Sequence, residues 1–189
     1  MKRIVLLLLV AASMGGLTLS AQTVNSLENG KYSLSVGDVT LTVDASRGGK
    51  IVSYKYKDTE ILSQTRMPNS FGSTFWTSPQ SEWNWPPVPE YDTKPFNAEV
   101  TDGKLVLTGE KSKRFGYKVR KEFVADTKDN AIVITYTLVN ESGETRKVAP
   151  WEISRVPNGG ILFFDAKEVT PANNMAGLPF VYEKKAAWY

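Results

Sequence analysis

An all-β fold, an antiparallel β-sandwich, is predicted by three features of the 189-residue sequence. Apolar and polar residues alternate over several runs, the period at which successive side chains of a strand point to opposite faces of a sheet. Tight-turn residues separate consecutive runs at hairpin distance, which makes neighbouring strands antiparallel. Little of the body follows the 3.6-residue apolar period of a helix.

The chain opens on Met1, Lys2 and Arg3, continues through the apolar run IVLLLLVAASMGGLTL and reaches SAQT. A basic start, an apolar segment and a small residue before a cut read as a secretory signal peptide over residues 1–21, cleaved between Ala21 and Gln22. Ser13, Gly15, Gly16 and Thr18 weaken the run as a spanning helix, which needs about 20 apolar residues. No cysteine stands beside the cut, so lipid attachment there is excluded. The mature chain is therefore expected to be periplasmic or secreted, without membrane contact. Residues 22–189 show no repeat, no low-complexity segment and no composition break, and read as one β-sandwich domain.

Within that domain Val39, Leu41 and Val43 alternate with threonines in VTLTVDA. Lys57 and Asp58 then mark a turn between IVSYKY and TEIL, and Asp102 and Gly103 mark one between FNAEV and KLVLTG. The segment Asp126 to Asn130 separates YKVRKEFV from AIVITYTLV, where Ile132, Ile134, Tyr136 and Leu138 form one face. TRKVAPWEIS and GGILFFDA add further strands, for about nine or ten in all, enough for two sheets packed face to face. The tail from Pro171 to Tyr189 is less patterned.

Composition excludes several functions. Loss of Lys2 and Arg3 with the leader lowers the net charge from +3 to about +1. Lysines and acids interleave along the strands, so the one-sided basic stripe of a nucleic-acid binder is missing. With no cysteine, disulfides, thiol catalysis and thiolate metal sites are ruled out. With no histidine, histidine triads and the usual zinc sites are ruled out too, along with the side chain best suited to proton transfer near neutral pH. No spaced oxygen-ligand loop appears, and no metal or cofactor is expected.

One stretch stands apart. FWTSPQSEWNWPPVPEY, Phe75 to Tyr91, holds three tryptophans, two other aromatics and four prolines in seventeen residues, with no period. Prolines remove backbone donors and hold their predecessors extended, so a stiff irregular loop is expected. Long ordered loops in compact domains usually carry function. Trp76, Trp83 and Trp85 can line a sugar site, because an indole packs on the apolar face of a pyranose and donates through its N–H at the wet edge. Gln80 and Glu82 lie among them and can supply directed hydrogen bonds. In PWEISR, strand alternation puts Trp151, Ile153 and Arg155 on one face and Glu152 and Ser154 on the other. Glu152 can accept sugar hydroxyls, and Arg155 can hold a ligand carboxylate. Arg47, before Gly48 and Gly49, reads as a solvated turn residue. No catalytic residue is assigned: Glu82 and Glu152 are the acids embedded in aromatic motifs, but sequence spacing does not make them a pair.

The run TLTVDASRGGKIVSYKYKDTEILSQ, with a strand, a glycine pair, a second strand and a short hairpin return, resembles the opening of the galactose mutarotase-like (aldose epimerase-like) supersandwich. FWTSPQSEWNWPP and VAPWEISRVPNGG are similar, more narrowly, to the DUF4380 proteins of that superfamily, common among secreted proteins of Bacteroidetes. The resemblance spans Tyr32 to Asp165. It implies a large sandwich whose broad concave sheet binds carbohydrate in related enzymes. Aldose epimerases of this fold are expected to use histidines beside the sugar and a late catalytic carboxylate. A chain without histidine is therefore not expected to have ordinary aldose 1-epimerase activity. The superfamily domain is also longer than this mature chain, which fits its first part. Carbohydrate binding is thus the expected activity. The alternatives are a sugar epimerase or lyase-like enzyme working through carboxylate, tyrosine or arginine, and a structural envelope protein whose aromatic loop seals the fold.

Overall fold

A computed structural model describes residues 24–65, 70–165 and 181–188. The expected leader and tail residues 171–180 lie outside the described residues. In chain order the strands are β1 (Val24–Ser26), β2 (Lys31–Val36), β3 (Val39–Asp44), β4 (Lys50–Tyr56), β5 (Thr59–Glu60) and β6 (Ser73–Ser78). A one-turn helix α1 (Pro89–Asp92) precedes β7 (Asn97–Thr101), β8 (Lys104–Thr108), β9 (Tyr117–Asp126), β10 (Ala131–Asn140) and β11 (Ala149–Ser154). Three short strands, β12 (Phe163–Asp165), β13 (Val181–Glu183) and β14 (Ala186–Trp188), complete the described chain.

The fold is all-β with antiparallel pairing, as the alternation predicts. One large sheet runs β1-β2-β3-β4-β6-β11, with β5 on β4, and a second runs β10-β9-β8-β7. The expected hairpins are present. Tyr56 pairs with Thr59 across Lys57 and Asp58, and Thr101 pairs with Lys104 across Asp102 and Gly103. Lys57, Asp102 and Gly103 have positive φ, which matches a two-residue turn to the twist of its strands.

Inward rows of the two sheets meet to form the core. Leu34, Leu41, Val43 and Phe75 come from the large sheet, and Leu105, Leu107, Tyr117, Val119 and Phe123 from the second. Phe75 stacks on Tyr136 across the interface at 4.8 Å. Each such side chain contributes about 1.5–3 kcal/mol by leaving water. One inward position of β9 is polar: the ammonium of Lys121, 1% exposed, donates to the carbonyls of Gly48 (2.8 Å) and Gly49 (3.1 Å). It also lies 5.2–5.7 Å from the ring centres of Phe96, Phe75 and Tyr136. The sandwich thereby ties its second sheet to the glycine turn of its first.

Three expectations need correction. Fourteen strands are described rather than nine or ten, because β1, β5 and β12–β14 are too short to show a period. The aromatic stretch is not loop throughout: Phe75–Ser78 belong to β6, Gln80–Glu82 form a 3-10 turn, and Pro89 opens α1. Residues Ser73–Thr77 are buried on both faces, which erases the alternation that would have revealed a strand. Finally, β11 begins at Ala149 rather than Thr145, and among the described residues of GGILFFDA only Phe163–Asp165 form a strand. That strand pairs with β14 in a separate three-stranded sheet.

Candidate functional site

Strands β6 and β11 pair with Trp76 opposite Trp151, Thr74 opposite Ile153, Phe75 opposite Glu152 and Ser73 opposite Ser154. Directly opposed residues share a face. Thr74, Trp76, Trp151, Ile153 and Arg155 therefore look outward, and Ser73, Phe75, Glu152 and Ser154 look toward the second sheet. The proline-rich segment folds back over the outward face.

Trp76 is the hub of that face. Its ring lies 5.6 Å from Trp151, 5.7 Å from Trp83 and 5.9 Å from Trp85, each in an edge-on arrangement. Such geometry sets the positive edge of one indole against the negative face of another. The loop indoles have opposite fates. Trp83 is 3% exposed and donates from Nε1 to the Thr77 carbonyl at 2.8 Å, while Trp85 is 69% exposed. Arg114 fixes the segment from outside by donating to the carbonyls of Glu82 and Trp83. The Glu82 side chain turns inward, accepting from Tyr117 at 3.4 Å and from Arg146 at 3.5 Å.

Beside the exposed indole lies a cleft of about 380 Å³. Trp76, Trp85, Pro86, Pro87 and Pro89 supply its apolar wall, and Arg47, Lys50, Thr74, Asp92 and Arg155 its polar groups. Asp92 Oδ1 accepts from Trp76 Nε1 at 2.9 Å. Arg155 donates from Nη1 to Thr74 Oγ1 at 3.1 Å and to the Ile153 carbonyl at 3.4 Å, with its guanidinium 5.9 Å from the Trp76 ring centre. Arg47 and Lys50 both lie over Phe71, at 5.7 and 4.2 Å. They reach the cleft because the Gly48–Gly49 turn packs on α1: Gly48 N–H donates to the Lys94 carbonyl at 2.8 Å. A β-carbon on Gly48 would stand 2.3 Å from the Asp92 carbonyl, so no other residue permits this approach without displacement.

On the opposite face of the β6–β11 pair a second cleft, of about 240 Å³, opens between the sheets. Its walls are largely apolar, with Leu62, Ile132 and Ile134, and its polar end holds Tyr54, Tyr136, Ser73, Ser154 and Glu152. Glu152 accepts from Ser73, whose hydroxyl is 2.7 Å from that of Ser154. Burial first, and the Glu152 carboxylate second, push the Tyr136 hydroxyl far above the ordinary tyrosine range.

The sequence-predicted residues thus divide. Trp76, Trp85 and Arg155 meet in the first cleft. Gln80 and Trp151 border a shallower groove with Ser78, Pro79, Ala149 and Pro150. Trp83 and Glu82 are interior supports of the loop, and Glu152 belongs to the other face. Strand alternation anticipated the separation of Glu152 from Arg155. Sequence reading missed Asp92, Lys50 and Thr74, and it took Arg47 for a solvated residue, whereas Arg47 is half-buried beside Phe71. The RGGK turn was the available signal, since a glycine pair marks close backbone approach as well as turning.

No group of acids that could hold a metal ion occurs among the described residues, and none of their helices is long and apolar enough to cross a membrane. Fold and site together define an all-β protein with an aromatic, cation-bearing surface cleft. No family model, curated protein or solved structure matches this chain. The resemblance to galactose mutarotase-like proteins therefore rests on its sequence motifs.

Proposed function

We propose that this protein is an exported carbohydrate-binding β-sandwich of galactose mutarotase-like type, and that the sugar docks in the cleft beside Trp85. The exposure of Trp85 carries this reading. A large indole left 69% exposed, braced edge-on by Trp76 at the mouth of a cleft, is a preformed flat apolar surface. A rigid aromatic loses little conformational entropy when a pyranose stacks on it. Thr74, Asp92 and Arg155 line the same cleft and offer the few directed polar contacts that orient a sugar.

The alternative, a loop that seals the fold, is supported at Trp83, whose indole is buried. The two roles separate by substitution. Trp85→Ala should weaken binding about tenfold or more, the equivalent of about 1.4 kcal/mol, with melting nearly unchanged. Trp83→Ala should cost about 3–5 kcal/mol of stability. Calorimetric titration against a glycan panel, with thermal melts of both variants, checks both statements. A parent protein that binds no glycan, or a W85A variant that binds like the parent, would overturn the reading.

A further inference from the structure

Arg155 brings a guanidinium to the cleft that Trp85, Pro86 and Pro87 wall with apolar surface. Building on the carbohydrate reading, we propose that the cleft selects an acidic glycan, a pyranose bearing a carboxylate or sulfate group, over its neutral counterpart. Arg155 is the principal anion contact. Both of its hydrogen bonds leave from Nη1, so Nη2 and Nε make none among the described residues, and no ion pair engages it there. A guanidinium presents its donors in a planar fork that matches a carboxylate or sulfate edge. The Trp76 ring beneath it and the Thr74 hydroxyl beside it fix the orientation of that fork before a ligand arrives.

The remaining groups strengthen this selection. Asp92 in the same cleft is engaged by its neighbour on β6: its Oδ1 accepts from the Trp76 indole N–H at 2.9 Å. Trp85 and Pro86 give the same cleft an apolar wall. That pairing suits an acidic sugar, which has an apolar ring face and a charged substituent at the ring edge. A simple inorganic anion would use only half of it.

The test titrates the protein with an oligogalacturonate, with the fully methyl-esterified form of the same oligomer, with a sulfated glycosaminoglycan oligosaccharide and with polyglutamate. The uronate or the sulfated oligosaccharide should bind about tenfold or more tighter than the ester, as one charge-assisted contact predicts. The gap should narrow between about 50 and about 200 mM NaCl. Arg155→Gln should close most of the gap; if R155Q melts early, Arg155→Lys, which keeps the charge and loses the planar fork, should narrow it instead. Tighter binding of the uronate or of the sulfated ligand identifies which anion is read. Equal binding of acid and ester would overturn acidic selection while leaving the sugar reading intact. Failure of acid, ester and neutral glycans alike would instead overturn the sugar reading itself. Polyglutamate binding as tight as the oligosaccharide's would show an anion trap indifferent to sugar, and would also overturn the proposal.

Discussion

Lys121 occupies a place where strand alternation calls for an apolar residue, between Val119 and Phe123 on the inward face of β9. Two backbone carbonyls solvate its ammonium, and three aromatic rings surround it. Burial dominates and lowers its pKa to about 8, despite the opposing pull of Glu152 and Asp92. Between that value and the ordinary lysine value of 10.5, the unfolded chain keeps the proton that the folded protein has released. The unfolded state then binds more protons, so stability rises with pH. Above about pH 10 the buried tyrosines oppose it, since Tyr91 and Tyr136 stay protonated when folded and ionise when unfolded. Urea unfolding should therefore show a gain of about 1 kcal/mol from pH 8 to pH 9, before tyrosine ionisation offsets it. Lys121→Met should flatten that slope, and an unchanged slope in K121M would assign the effect elsewhere. Nothing in YKVRKEFV distinguishes Lys121 from its outward neighbours except its phase in the alternation. The phase was readable; the carbonyl pair that receives the ammonium, more than seventy residues earlier, was not.

At the scale of elements, the glycine turn and α1 assemble the cleft together. Gly48 and Gly49 both have positive φ, and the Asp92 carbonyl lies where a Gly48 side chain would begin. Gly48→Ala should combine left-handed backbone strain with this clash and cost about 2 kcal/mol or more. Gly143 is the comparison: its φ is also positive, but a β-carbon there would meet nothing within 4 Å. Gly143→Ala should cost about 1 kcal/mol, the strain alone. Thermal melts of both variants check the difference, and equal losses would show that the contact with α1 is not what matters. The same pair of elements explains what could be read in advance. β3 and β9 bury one face and β10 half-buries one, so their period was plain. β6 is covered on both sides and lost its period, although its aromatic content marked it as important. Trp76, Trp85 and Arg155 were recognisable as aromatic and cationic residues in unusual motifs. Their partners Arg47, Lys50 and Asp92 depend on a turn from one end of β4 meeting a helix that follows β6. Such long-range packing leaves no local signature.

At the scale of the whole molecule, the β6–β11 pair acts as a partition. The cations line one cleft, and the carboxylate and hydroxyl cluster of Glu152, Ser73, Ser154 and Tyr136 lines the other. Mutarotation of a free sugar needs a base at the anomeric hydroxyl and an acid at the ring oxygen, both placed on one bound molecule. The absence of histidine removes the side chain that most readily serves either role near neutral pH. In the cleft beside Trp85, arginines hold their protons too tightly to act as acids, and the one carboxylate is oriented toward an indole N–H. In the cleft between the sheets, Tyr136 is held protonated by burial and by Glu152, the reverse of what a tyrosine base requires. Among the described residues, Asp92 and Lys50 on one side and Glu152 and Tyr136 on the other are the groups left for proton transfer. Freshly dissolved glucose, galactose or galacturonate should mutarotate at the buffer rate in the presence of the protein, as followed by polarimetry. Acceleration that disappears on denaturation, and persists in Glu152→Gln, would show that the cleft beside Trp85 performs the chemistry without histidine. Acceleration lost in E152Q would place the chemistry between the sheets, at Glu152 and Tyr136.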